Sequence, residues 1–333
     1  MKRRKIFFIH STFYPTVLED LRILRKHFKV KRLIYKGIRK YPHMIFKIIS
    51  GVAWSNIVVA WCGDAYLLMV LPIVKLLGKK LYVFLASYET ANMKELNYGA
   101  MVKLVPRWRV KLILGTADKL IGASLFHKKS VEKYVRKKDK VVQINFAINT
   151  EKVEPHYEKE NMVYFVIGGS GVTKEKRQAQ ILQVIEIAKR LREVKFVVIG
   201  DVSSIDMEYI KKIASPNVIF TGFISEDDVA KWRREAKVYL RPIPYDGGSI
   251  TLLEAMYSEC IPVGTKILKD TIEDTGYYME WGDIEGGVKA IRRAIEDKKK
   301  GKKAKERIVK YYSMKRREEE LIKLIINENT LDR

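Results

Sequence analysis

Residues 162–200 read MVYFVIGGSGVTKEKRQAQILQVIEIAKRLREVKFVVIG. Met162–Ile167 is an unbroken apolar run, as a strand covered on both faces requires, and Lys195–Ile199 is a second. Between them Gln178–Leu191 carries apolar residues at the three-to-four spacing of an amphipathic helix. Strand, glycine-rich turn, helix and strand make a crossover unit whose two strands run parallel. Downstream the alternation continues with a strand at Val218–Phe220, a helix at Glu226–Arg234 and a strand at Val238–Leu240. Beyond Lys298 a lysine-rich helix runs on, with KKKGKKAK read as a solvated turn.

Upstream of this unit the pattern dissolves into EKVEPHYEKEN, Glu151–Asn161, a polar stretch suited to an interdomain linker. Before it the same alternation occurs. Lys5–His10, Val30–Tyr35, Asn56–Trp61, Lys80–Leu85, Lys119–Ala123 and Val141–Ile144 read as strands, with helices at Val17–His27, at Ala65–Leu77 and from about Ser124. The chain of 333 residues is long enough for two cores. The sequence therefore predicts an α/β protein of two Rossmann-like domains facing across a cleft, residues 1–155 and 160–310, with a C-terminal helix at about 311–330 packing back on the first.

Composition narrows the setting. Residues 1–150 hold 30 Lys and Arg against 8 Asp and Glu, leaving 34 against 31 for the remainder, so most of the net charge of +25 lies in the first half. Such a polycation attracts polyanions: an anionic membrane surface, a phosphorylated acceptor or nucleic acid. Two stretches there, RKYPHMIFKIIS and VKLVPRWRVKLIL, mix basic residues with Tyr41, Phe46, Trp108 and aliphatics. They suit either helices at an anionic membrane interface or ordinary amphipathic helices packed on the sheet. The Ala65–Leu77 segment is too short to span a bilayer and holds Pro72 and Lys75, and the opening MKRRKIFFIH leads into Ser11 and Thr12, not a cleavage site. Cys62 and Cys260 form no metal-spaced or redox motif. The expected setting is cytoplasmic, with peripheral contact at the inner face of the membrane. Abundant Lys, Ile and Glu with scarce Cys point to a thermophilic source.

Two strand-to-helix junctions carry the chemistry. In GGSGVTKEKR the backbone N–H groups and the positive end of the helix dipole suit a phosphate. Gly169, Ser170 and Gly171 allow close approach, and Lys174, Lys176 or Arg177 can neutralise a diphosphate. In LRPIPYDGGSITLLEAMYSECIPV, Tyr245, Asp246, Gly247, Gly248, Ser249 and Ile250 lead into a helix bearing Glu254. A carboxylate at the helix start and another about two turns later can face one ligand, and an unpartnered Glu254 among apolar neighbours would be costly. Asp227 and Asp228 stand at a predicted helix start, where acids cap and complement the dipole, so no metal site is assigned to them.

These residues resemble the retaining glycosyltransferases of family four and their relatives, over most of the chain. The family's acidic pair, separated by seven residues, corresponds to Asp246 and Glu254, and EAMYSECIPV resembles its EAMA-G-PV segment. LGTADKLIGAS, INFAINTEKV, FVVIGD and NVIFTGFISEDDVAKWRREAKVYLRP resemble further family segments in the same order. The resemblance implies the two-domain GT-B fold and a nucleotide-sugar donor. It places the ribose on Glu254, the donor sugar and diphosphate on Asp246, Gly247, Gly248 and Ser249, and the nucleobase on the main chain near Gly222, Phe223 and Ile224. The family's diphosphate-contacting lysine falls on Lys176 or Arg177. Asp246, Glu254, Lys176 and Arg177 are thus the candidate catalytic set.

The chain also departs from the family. Its pair begins with Asp, not Glu; Gly169 stands where many members have Arg; and Ala147 and Asn149 replace the crossover's Gly and Asp. HSTFYPT lacks the paired glycines of the first loop, and FLASYET lacks a histidine. Ser11, Thr12, Ser87, Tyr88 and Glu89 occupy those acceptor-side positions. The expectation is transfer of a sugar with retention, with no metal and no cofactor beyond the donor, to an anionic or lipid-linked acceptor. Alternative readings are a nucleic-acid-binding or nucleic-acid-glycosylating protein, and a sugar-nucleotide epimerase or inactive scaffold of the same fold.

Overall fold

The computed structural model describes residues 4–12, 14–37, 42–151, 158–167, 172–202 and 205–326. The chain divides into two units: Met1–Met93 with Gly99–Phe146 and Lys315–Arg333, and Lys94–Tyr98 with Ala147–Met314.

The first unit runs β1 Lys5–His10, α1 Pro15–His27, β2 Lys29–Ile34, α2 Met44–Trp54, β3 Ile57–Trp61, α3 Leu67–Leu76, β4 Lys80–Phe84, α4 Leu104–Thr116, β5 Lys119–Gly122, α5 Leu125–Glu132 and β6 Val141–Gln143. Its six strands pair in parallel in the order β2-β1-β3-β4-β5-β6. Every residue of the inner strand β3 is buried, as expected where helices cover both faces of a parallel sheet. One core cluster joins Phe7, Val58 and Val83 of the sheet to Ile48 of α2, Val70 of α3 and Ile113 of α4.

The second unit runs β7 Glu160–Val166, α6 Lys174–Ala188, β8 Lys195–Ile199, α7 Met207–Ile213, β9 Val218–Gly222, α8 Glu226–Glu235, β10 Ala236–Arg241, α9 Ile250–Tyr257, β11 Ile261–Thr265, α10 Lys269–Ile272, β12 Tyr277–Met279, α11 Ile284–Glu296 and α12 Lys300–Tyr311. The sheet order is β12-β11-β10-β7-β8-β9, again parallel. A last helix, α13 Met314–Ile326, follows.

In each sheet the chain steps outward in one direction, returns and continues on the other side of its first strand. The reversal falls between β1 and β3 in the first unit and between β7 and β10 in the second. At such a switch point the loops leaving neighbouring strands diverge and open a crevice at the strands' carboxyl ends.

Several boundaries differ from the sequence expectation. Helix α6 begins at Lys174, not Gln178, because Thr173 caps it by accepting from Lys176 N–H; the charged first turn hides this start from apolar periodicity. Helix α1 takes Pro15 into its first turn, where a missing N–H costs nothing. KKKGKKAK is not a solvated turn: α12 starts within it. Gly301 and Ala304 are buried on one side of that helix, and a Cβ on Gly301 would lie 2.3 Å from the Glu259 carbonyl oxygen. Small residues three apart thus dock a helix whose lysines face outward. Part of the linker reading, residues 152–157, lies outside the described residues, as does the end of the expected C-terminal helix at 327–330.

Helix α13 is fastened by a buried ion pair. Arg317 Nε and Nη2 donate to the two carboxylate oxygens of Asp20 at 2.6 and 2.7 Å, with neither side chain more than 1% exposed. Arg317 Nη1 also donates to the carbonyls of Ile144 and Asn145 at 3.3 and 2.5 Å. Trp61 Nε1 donates to Asp20 at 3.1 Å. Three hydrogen bonds to the carboxylate and four from the guanidinium satisfy charges that would otherwise be strongly unfavourable in a core.

Candidate active site

Sequence-predicted residues of the second unit lie at the carboxyl ends of its strands, around the reversal between β7 and β10. Arg241 ends β10 and donates through Nη2 to Asp246 Oδ2 at 3.1 Å and through Nη1 to the Val166 carbonyl at 3.3 Å. Gly248 N–H donates to Asp246 Oδ1 at 3.2 Å. Its φ of +147° is one that L side chains seldom adopt, so glycine is required at this turn. Ser249 then caps α9, its side chain accepting from Leu252 N–H, and Tyr239 and Thr251 hydroxyls pair beneath it at 2.8 Å. Asp246 is held in a tight turn between a largely buried arginine and a helix start.

Lys176, on α6, is brought to the same place. Its Nζ donates to the Tyr245 carbonyl at 3.1 Å and lies 3.7 Å from the centre of the Tyr98 ring. Thr173 Oγ1 donates to the Leu96 carbonyl at 2.7 Å, so the segment Lys94–Tyr98 sits over the first turn of α6. Burial lowers the Lys176 ammonium to about 8, Asp246 pulling it back up and Arg241 pressing it further down. The cation is held there by a carbonyl and an aromatic face.

Glu254 is not joined to this group. It accepts from Arg233 Nη1 at 3.1 Å, and Arg233 also reaches Glu226 at 3.4 Å. Arg233 is itself buried and comes from α8, 21 positions earlier. Arg177 points to Asp201, after β8, with Nη1 3.4 Å from the carbonyl oxygen. Lys174 is exposed at the start of α6. Gly222 ends β9 at a φ of +68° and accepts from Gly200 N–H at 2.9 Å; beyond it Phe223 is 88% exposed and Ile224 half-buried. Gly169, Ser170 and Gly171 lie outside the described residues. Asp227 and Asp228 fall in the first turn of α8, where Ser225 caps the helix by accepting from Asp228 N–H. Among the described residues no three His, Cys, Asp or Glu gather as a metal site would require.

The first-unit residues singled out in the sequence gather around that unit's own reversal point. Ser11, after β1, donates to Asp64 Oδ2, after β3. Thr12 Oγ1 lies 4.0 Å from Cys62 Sγ. Glu89, after β4, is buried and accepts from Gly63 N–H at 2.7 Å. Burial raises its carboxyl to about 7, against backbone donors at Gly63, Glu89 and Ala86, with the Asp64 charge raising it further. Ser87 and Tyr88 stand beside it, Tyr88 the more exposed.

Sequence reasoning did not name Arg233, Arg241, Asp64 or Tyr98. The signal available for the arginines was the demand of two semi-buried carboxylates for cations, without any indication of which cations answer it.

Two α/β units, each built on a six-stranded parallel sheet, are the fold of the GT-B glycosyltransferases, and residues 135–297 match the family described as Glycosyl transferases group 1. Among solved structures the chain is similar to HepE of Anabaena in complex with UDP and glucose, at a TM-score of 0.72 and 14% identity over 97% of this chain and 99% of that one. The sucrose-phosphate synthase of Thermosynechococcus elongatus matches at 0.73 and 15% over 97% and 98%. The lipopolysaccharide outer core galactosyltransferase WaaB matches at 0.68 and 17% over 97% and 99%. No curated protein matches in sequence.

Proposed function

We propose that the chain transfers a sugar from a nucleoside-diphosphate sugar with retention of configuration and without a divalent metal, the second unit holding the donor and the first the acceptor. The observation that carries this reading is Lys176, a nearly buried cation beside Asp246 and Arg241 at the reversal point of the second sheet. As the glycosidic bond breaks, negative charge grows on the leaving diphosphate. Fixed positive groups aimed at that charge lower the barrier: Lys176, Arg177 and the N–H groups at the starts of α6 and α9. Leaving-group charge stabilised in this way requires no metal in principle.

In the same reading Glu254, oriented by Arg233, accepts the ribose hydroxyls, and Asp246, Gly247, Gly248 and Ser249 address the donor sugar and diphosphate, flanked by Tyr245 and Ile250. The glycine-rich turn Gly169, Ser170 and Gly171 with Lys174 approaches the phosphates, and Gly222, Phe223 and Ile224 meet the base. The Anabaena HepE complexes with UDP-glucose and UDP make UDP the first nucleotide to try. Ser11, Thr12, Ser87, Tyr88 and Glu89 belong to the acceptor side. The excess of basic residues in the first 150 supports an anionic or lipid-linked acceptor and a cytoplasmic protein acting at the inner face of a membrane. No helix among the described residues is long and apolar enough to cross a bilayer. The lysine-rich, cysteine-poor composition supports a thermophilic source, and a melting temperature in the range of about 45–65 °C common among mesophile domains would count against it.

The test is a calorimetric and thermal-shift series with UDP, GDP, ADP and TDP and their sugar conjugates. A ligand that binds only the folded chain stabilises it by about 2.7 kcal/mol at one hundred times its Kd. One nucleotide giving such a shift supports the donor site; none responding at millimolar concentration overturns it. Once turnover is found, NMR of the product anomer decides retention, and an inverted product would refute it.

A further inference from the structure

Helices α2, α3 and α4 cover one side of the first sheet, with α3 packed between the other two. They are apolar towards the sheet and also away from it. In α4, Val110, Ile113 and Leu114 are buried in the core. Leu104, Trp108 and Leu112 are spaced four apart along the opposite side, where Leu104 is 79% and Trp108 61% exposed. Beside that row run Lys103, Arg107 and Lys111, also four apart; the two lysines are exposed, while Arg107 is half-buried and donates through Nε and Nη2 to the Met101 carbonyl. Phe46 on α2 and Leu76 on α3 are 72% and 86% exposed, with Lys47 and Lys75 next to them in sequence.

Acidic residues are missing from this surface. None of the three helices contains an Asp or Glu, although the chain has 39 of them. A helix serving only solubility mixes both signs and exposes few large apolar groups. Here both departures fall on the same three neighbouring helices.

We infer that the outer surface of α2, α3 and α4 docks on an anionic lipid bilayer. Trp108, Leu104, Leu112, Phe46 and Leu76 enter the interface between headgroups and acyl chains, and the flanking lysines meet lipid phosphates. Cations alone would suit nucleic acid equally, but exposed leucines have no partner on a phosphate backbone and gain free energy in a bilayer. Each basic residue near an anionic surface adds attraction that salt screens, while the apolar insertion does not depend on salt. The inference deepens the proposed acceptor at a membrane face and rests on that reading for its purpose, not for the binding itself.

The experiment uses the whole chain with extruded vesicles of phosphatidylcholine, with and without 30% phosphatidylglycerol. Cosedimentation is measured from 20 to 500 mM NaCl together with tryptophan emission. The expected result is binding to the anionic vesicles at low salt that weakens at high salt, with a blue shift that Trp108→Phe removes. Leu104→Glu combined with Trp108→Glu should weaken vesicle binding at least tenfold, while an unchanged melting temperature shows the variant folded. Absence of cosedimentation at 20 mM NaCl overturns the inference. So does equal binding by the double variant, or a vesicle affinity matched by duplex DNA with no Trp108 blue shift. The nucleotide series, run on the same protein, separates the two readings: a nucleotide response without vesicle binding refutes docking alone.

Discussion

Lys176 and Glu89 are two titrating groups whose positions make opposite demands. For Lys176 the proposed diphosphate contact needs the charged form, and its ammonium sits at about 8. Nucleotide affinity should therefore hold below pH 8 and fall up to tenfold per unit above it, with proton uptake on binding. Calorimetry in two buffers of different ionisation enthalpy measures this, and Lys176→Met should lose both the affinity and the pH dependence. Glu89 titrates at about 7 in place of 4.5, so the folded chain holds a proton that the unfolded chain releases between those values. Its contribution to stability is fully present below about 4.5 and is lost as pH rises through 7. Melting curves of Glu89→Gln, which has no charge to bury, should lack that fall, a difference on the order of 3 kcal/mol at most. Glu254→Ala should weaken UDP at least tenfold, as loss of a hydrogen bond to a charged group does, and leave the first unit folded; full turnover would contradict the ribose assignment.

At the scale of elements, legibility depended on whether a signal is local. The βαβ units were legible because apolar runs and helical spacing are properties of single segments. Asp246 and Glu254 were legible because the turn and helix that present them are contiguous. Arg241 and Arg233 were not. Arg241 matters because β10 lies beside β7, which sheet order decides, and Arg233 matters because α8 docks where its guanidinium reaches α9. The lysines of α12 misled for a related reason: the buried Gly301 and Ala304 are small, so they carry little hydrophobic signal, yet they decide how close the helix approaches Glu259. The Arg317 clamp gives a quantitative expectation. Arg317→Met leaves Asp20 buried without its guanidinium and should cost about 3–5 kcal/mol, whereas Arg317→Met with Asp20→Leu should recover much of that. Denaturant titration of the two variants and the parent chain measures it, and an equal loss in single and double variants would show that packing, not charge, dominates.

For the molecule as a whole, the chain lends Lys94–Tyr98 to the second unit, crosses to it again after Phe146 and returns after Met314. Neither unit is therefore made by one cut in the sequence. Removing residues 315–333 should lower the melting of the first unit and leave nucleotide binding by the second intact, visible in calorimetry as a separation of two transitions. A single transition lowered together with loss of nucleotide binding would show that the units do not melt independently.

The same clamp imposes an order on biosynthesis. Asp20 and the carbonyls of Ile144 and Asn145 leave the ribosome long before Arg317, their partner, is translated. During that interval the nascent first unit holds a carboxylate that its core cannot yet bury, and the whole second unit, which ends at Met314, is translated before Arg317 arrives. The first part of the protein to be made is, in this chain, the last to be finished.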